Sequence, residues 1–162
     1  MTATLRSSLL LMLGSLVVAL ALTFLPLPPW AAIARPALFP ATILFWVLHQ
    51  PHRVGVLAAW FAGLLLDAGY TTPLGQHALA LALAAFIVFK MRDLLWTLPL
   101  IQQGVALLPA LIAYAFTLFW IDGINGRQVD LWWRWLPVLS TAVVWPLWSL
   151  ILERFALVEV DS

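Results

Sequence analysis

The sequence predicts an all-α integral membrane bundle of about six transmembrane helices, and three observations carry that prediction. Of the 162 residues, 64% are hydrophobic and only 9% are charged, against roughly 25% charged in soluble domains. The charges that remain fall in short clusters spaced by about one membrane thickness. A chain this small has too little interior to hide so many apolar side chains, and a mean hydropathy of +1.02 leaves lipid as the solvent for most of them. Each crossing needs roughly 20 helical residues, so five or six use almost the whole chain as a single transmembrane domain, residues 1–162. The net charge of +1 offers no basic face for nucleic acid, and the absence of Cys removes disulfides, thiolate metal sites and iron–sulfur clusters.

The first apolar run, residues 9–25, follows Arg6. Ala19 and Ala21 make an A-x-A pattern of the kind signal peptidases cut, but the run continues through Leu22, Phe24 and Leu25, so a retained helix is expected. Pro26, Pro28 and Pro29 end it, each lacking a donor and restricting the residue before it. The second segment is short: residues 37–48 lie between Arg35-Pro36 and His49-Gln50-Pro51-His52-Arg53. A helix of that length reaches about 18 Å, which leaves a short crossing or a re-entrant segment shielded by neighbours. The third runs over 54–70 and ends in Thr71-Thr72-Pro73-Leu74-Gly75; the fourth runs over 76–89. The Ala/Leu alternation of the fourth mimics a strand period, but both residue types are apolar helix formers, so a helix is predicted. The fifth covers about 98–121, with Pro109 expected to kink it. A polar stretch over 122–130 follows, in which Asp130 is placed to cap a short interfacial helix bearing Trp132, Trp133 and Trp135. The sixth covers about 136–152.

Six crossings put Arg6, Arg53, Lys90, Arg92 and Arg154 on one side and Arg35, Arg127 and Arg134 on the other. The richer side is cytoplasmic by the positive-inside rule, which places both termini in the cytoplasm.

Few residues suggest chemistry. Asp67 is read as the sole acid within an apolar segment, and an ionisable group at membrane depth is a functional hypothesis by default. His77, in the first turn of the next helix, is its natural partner across the hairpin. On this reading Asp67→Asn, which keeps the shape and a hydrogen bond, is expected to be mild. Gly55, Ala59 and Gly63 recur every four residues and form a ridge that allows close helix approach, either within the bundle or against a partner. His49 and His52 have helical metal-pair spacing, but Pro51 breaks the helix and no acid or Cys is near in sequence, so headgroup-facing imidazoles are expected. Trp30, Trp46, Trp96 and Trp120 stand at segment ends as interfacial anchors. The Trp132-Trp133-Arg134-Trp135 run is denser than anchoring needs and is a candidate partner surface. No nucleophile, base and orienting group fall into a readable pattern, and no cofactor is expected.

The run from Trp46 to Val56, containing His49-Gln50-Pro51-His52-Arg53, followed by Gly63-Leu64-Leu65-Leu66-Asp67 and Leu74-Gly75-Gln76-His77-Ala78-Leu79, resembles the rod shape-determining protein MreD family. Arg35-Pro36 and Trp145-Pro146 fit as well. The resemblance implies a non-catalytic scaffold subunit of the bacterial cell-wall elongation complex in the inner membrane. Its implied partners are the single-span protein MreC and, indirectly, a class B penicillin-binding transpeptidase, its polymerase partner and a bacterial actin homologue; membrane lipids are expected around the chain itself. It also implies a fold similar to the substrate-binding S-components of vitamin transporters, which supplies an alternative function: a small-molecule-binding transporter subunit. Fold alone does not grant that function.

Overall fold

Proline sets most of the helix boundaries. The computed structural model describes residues 2–127 and 131–157, with side chains described for 9–127 and 133–154. Helix α1 (Thr2–Phe24) stops before Pro26, and the single turn α2 (Pro29–Ala32) has proline at its first position, where the missing N–H costs nothing. Helix α3 (Leu38–His49) ends two residues before Pro51, and α4 (Val56–Tyr70) and α5 (Gln76–Lys90) form a hairpin. After α6 (Arg92–Thr97), Pro99 precedes α7 (Leu100–Ala106), which continues into α8 (Leu108–Ile124) and then α9 (Leu131–Leu157).

Three features depart from the sequence expectation. Helices α2 and α6 are additional short elements. The fifth segment, expected as one helix kinked at Pro109, is interrupted there: two helices meet at Leu107, because Pro109 cannot donate to the Val105 carbonyl one turn back. No separate interfacial helix carries the Trp run: α9 is continuous from Leu131, through both Pro137 and Pro146, with Arg134 held by Asp122 of α8. The expected cap at Asp130 lies outside the described residues.

The shortest apolar helix is the most enclosed. All residues from 39 to 48 of α3 are buried, with α1, α4, α5 and α9 packed around it. A helix apolar on every side, at only 12 residues, fits where protein rather than lipid surrounds it. Polar links fix its neighbours. Trp46 Nε1 donates to Ser15 Oγ at 2.9 Å, Trp148 Nε1 donates to Thr42 Oγ1 at 2.9 Å, and the Ala37 N–H donates to Thr141 Oγ1 at 2.8 Å. Trp46 is therefore a core residue and not an interfacial anchor: its indole N–H finds a partner inside the bundle. Trp30, Trp96 and Trp120 are exposed.

The outer surface is apolar. Leu57, Phe61 and Leu65 make an exposed stripe on α4 at four-residue spacing, and Ile112, Phe116 and Trp120 repeat it on α8. Such continuous apolar faces suit lipid or another protein and not water. Among the residues whose side chains are described, two helical stretches, Leu100–Ile124 and Trp133–Arg154, are long and apolar enough to cross a bilayer; α3, α4 and α5 are shorter apolar helices. The architecture is that of a helical membrane bundle.

Close contact within the α4–α5 hairpin falls on part of the predicted ridge. A Cβ added at Gly63 would land on the Ala78 backbone and 2.6 Å from the His77 carbonyl oxygen, and Ala59 is fully buried. Gly55 differs. It is the N-cap of α4, and a Cβ there would meet only the Pro51 carbonyl oxygen at 3.8 Å. Gly104 makes a second close approach, against the Ala142 carbonyl of α9, with no ridge in the sequence to mark it.

Candidate functional site

Asp67 stands in the last turn of α4, 1% exposed, facing the start of α5. Between them, Thr71 takes the left-handed conformation at φ 52°, and Gly75 follows at φ 101°, a region open to glycine without strain. Gly75 is the N-cap of α5 and has no side chain to cap with. Asp67 supplies the cap from the preceding helix. Its Oδ1 accepts from the His77 N–H at 2.8 Å and from Thr72 Oγ1 at 3.0 Å, and lies 2.9 Å from His77 Nδ1. Its Oδ2 accepts from the Gly75 N–H at 2.8 Å and, more weakly, from the Ala78 N–H at 3.4 Å. The first N–H groups of a helix have no partner within it and carry partial positive charge, so a carboxylate there satisfies both needs. The structure brings Asp67 and His77 together, and adds backbone donors that residue spacing cannot show. It also reverses the expectation that Asp67→Asn is mild. Both oxygens accept from N–H groups, so an amide NH2 in either position would face a donor.

The same end of the bundle holds a second polar group. Asp122, in the last turn of α8 and 5% exposed, accepts from Gln76 Nε2 at 2.8 Å and from Arg134 of α9, with Arg127 Nη1 at 3.9 Å. Sequence reading put Asp122 in a polar loop and made Asp67 the only acid within an apolar segment; α8 instead continues past Asp122, which is a second buried helical acid. Arg35, at the entry to α3, donates to the Thr23 and Leu25 carbonyls at the end of α1, satisfying acceptors that the helix terminus leaves free. These groups, with Tyr70, His77 and Tyr114, line a cavity of about 370 Å³. Helices α1, α4 and α8 finish at this end of the bundle, and α3, α5 and α9 start there.

The profile of the rod shape-determining protein MreD family matches residues 3–155, nearly the whole bundle including every residue of the cavity. The chain belongs to that family. It is similar to the rod shape-determining protein MreD of Haemophilus influenzae, at 26% identity over 142 residues, which cover 88% of this chain and 87% of the relative. No solved structure matches the chain. Membership of the MreD family places the protein in the membrane and in rod shape determination.

The other residues singled out in this MreD-family sequence are dispersed. Trp133 is 52% exposed, whereas Trp135 packs against the buried core. The side chain of Trp132 lies outside those described. Arg134, between them, points the other way, to Asp122. His49 is not headgroup-facing as expected: its ring is half-buried and stacks on Phe45 at 4.0 Å, with Nδ1–H donating to the Phe45 carbonyl at 2.9 Å and Nε2 3.6 Å from Glu153. His52 is exposed. Sequence reasoning missed Gln76, Asp122 and Arg134 as a group. One signal was present, an arginine enclosed by three tryptophans, which needs a buried partner if it is not to lie in water.

Proposed function

We propose that this MreD-family chain is a non-catalytic scaffold of the cell-wall elongation complex, a single transmembrane unit of the bacterial inner membrane that binds MreC. Through MreC it is linked to the class B penicillin-binding transpeptidase, its polymerase partner and the actin homologue. The observation that carries this reading is the family match across residues 3–155. The exposed apolar stripes on α4 and α8 support it, because a bundle offering lipid-like faces has surface to spare for another helix. Trp133 is the aromatic anchor favoured for the partner surface, exposed at the start of α9. Purification in mild detergent with mass spectrometry tests the assignment. Trp133→Ala is expected to lower MreC recovery several-fold at unchanged abundance, whereas Trp135→Ala, which removes core packing, lowers abundance itself. Full MreC recovery with Trp133→Ala removes that residue from the interface.

The cavity favours a second reading, an S-component-like subunit that binds a small solute. It separates cleanly from the first. A solute retained through purification together with a cytoplasmic ATPase module, and no elongation proteins, would establish the alternative.

The topology proposed with the scaffold is six crossings with both termini cytoplasmic. The alternating ends at the cavity support it, as does a detail of the charge count. All three arginines on the poorer side, Arg35, Arg127 and Arg134, line the cavity, so each has a reason to be there apart from orientation. Reporter fusions after Leu74 and after Gly126 are both expected to read periplasmic. Opposite locations would remove six ordinary spans, and two cytoplasmic readings would invert the bundle.

A further inference from the structure

We infer that the cavity at the α4–α5 turn is a binding site for a phosphate ester that also carries a hydroxyl, of the glycerol-phosphate kind, presented either by a lipid headgroup or by a soluble molecule. The inference goes beyond the scaffold reading and stands whether or not the chain binds MreC. The volume, about 370 Å³, lies within the range of small-molecule sites, about 300–1,000 Å³.

Charge selects an anion. Among the described residues, Arg35, Arg127 and Arg134 line the cavity with one acid, Asp122. Asp67 stands behind His77 and spends both oxygens on the α5 N-terminus, Thr72 and the His77 ring. Counting both acids, the three arginines leave one positive charge over among the described residues. Asp122 is engaged chiefly with Arg134, and Arg127 lies at 3.9 Å, beyond hydrogen-bond distance. Among the described residues no carboxylate pairs with Arg35, and its buried Nε has no hydrogen-bond partner. Arg35 donates through both terminal nitrogens to the Thr23 and Leu25 carbonyls, so it contributes a charge that no described carboxylate neutralises, and Arg127 is the guanidinium whose side chain makes no hydrogen bond among the described residues and can turn to a ligand; guanidinium groups match phosphate oxygens geometrically.

A second observation adds the hydroxyl. Gln76 is 3% exposed and lines the cavity; its Nε2 is committed to Asp122, while its Oε1 is buried without a partner. A buried acceptor left open calls for a donor, which a bare phosphate dianion lacks and a glycerol-type hydroxyl supplies. Position fits as well. The cavity lies at the end of the bundle where six helices meet their turns, the level of the lipid phosphates in a bilayer, and the bundle orientation proposed above makes that the outer leaflet.

The test uses the full-length protein in a neutral maltoside detergent. Phosphatidylglycerol is titrated by native mass spectrometry, and glycerol 3-phosphate by calorimetry. Saturable one-to-one binding is expected in at least one arm, weakened roughly tenfold by Arg127→Gln, the scale of one charge-assisted hydrogen bond. Arg127 is half exposed and its side chain makes no hydrogen bond among the described residues, its nearest charge being Asp122 at 3.9 Å, while its backbone N–H bond to the Asp122 carbonyl survives substitution, so this variant folds; Arg154→Gln, at the opposite end of the bundle, leaves affinity unchanged. Saturation by the lipid alone identifies a headgroup site, and saturation by glycerol 3-phosphate identifies a soluble ligand. No saturable binding in either arm, or equal affinity in wild type and Arg127→Gln, overturns the assignment.

Discussion

Gly63→Leu is expected to remove most of the protein from the membrane fraction, while Gly55→Leu leaves its abundance unchanged. The two glycines belong to one four-residue repeat, so sequence spacing treats them alike; the hairpin does not. At Gly63 even a Cβ would strike the Ala78 backbone, which no rotamer change can relieve, and the His77 carbonyl stands 2.6 Å away. Leucine there must push α5 away from α4, and α5 also packs on α3 and α8. Overpacking costs about 1–3 kcal/mol where side chains can adjust, and a collision with backbone lies at the upper end or above it. Separation of the hairpin would also pull the α5 N-terminus from Asp67. At Gly55, by contrast, the nearest atom is an ordinary 3.8 Å away and the backbone φ of −94° suits any residue. Pulse-chase stability and thermal unfolding in detergent check both. Wild-type stability of Gly63→Leu would mean that α4 and α5 do not touch at this point. Normal abundance with MreC lost would move the surface from the hairpin interior to the partner.

Asp67→Leu is expected to be the most destabilising substitution at the polar end. It leaves the His77 N–H and ring Nδ1–H, the Gly75 N–H and the Thr72 hydroxyl without their acceptor. Thr72 and Gly75 lie nearer the surface and can recruit water, but His77 is 8% exposed. Counting only the two His77 donors, at about 1–3 kcal/mol for each buried donor left unmade, the loss is about 2–6 kcal/mol. Asp67→Asn is expected to fall between, at about 1–3 kcal/mol: one oxygen remains, and the new NH2 meets an N–H where an acceptor stood. Unfolding midpoints of wild type, Asn and Leu variants should therefore descend in that order. A Leu variant as stable as wild type would show that the carboxylate does not hold the α5 N-terminus. Variants that fold normally but lose rod shape would instead give Asp67 a direct role.

What the sequence determines here is whatever depends on composition and on neighbours along the chain. The apolar excess fixes the membrane class. Prolines fix where α1 and α3 end, because a missing N–H acts within one turn. Asp67 and His77 are legible as a pair because ten residues and one turn separate them, and the central block of residues 46–79 is specific enough to show the family. The enclosed position of α3, the core role of Trp46 and the inward turn of His49 were decided by packing. In lipid a helix is apolar on its inner and outer faces alike, so the polar-out signal that orients a helix in water is missing. The cavity shows the same limit at longer range. Gln76 and Asp122 are 46 residues apart, Arg35 lies just before α3 and Arg134 stands in α9; only the packing of the hairpins against one another brings a cation without a described carboxylate partner, a buried amide and a buried acid to one end of the bundle.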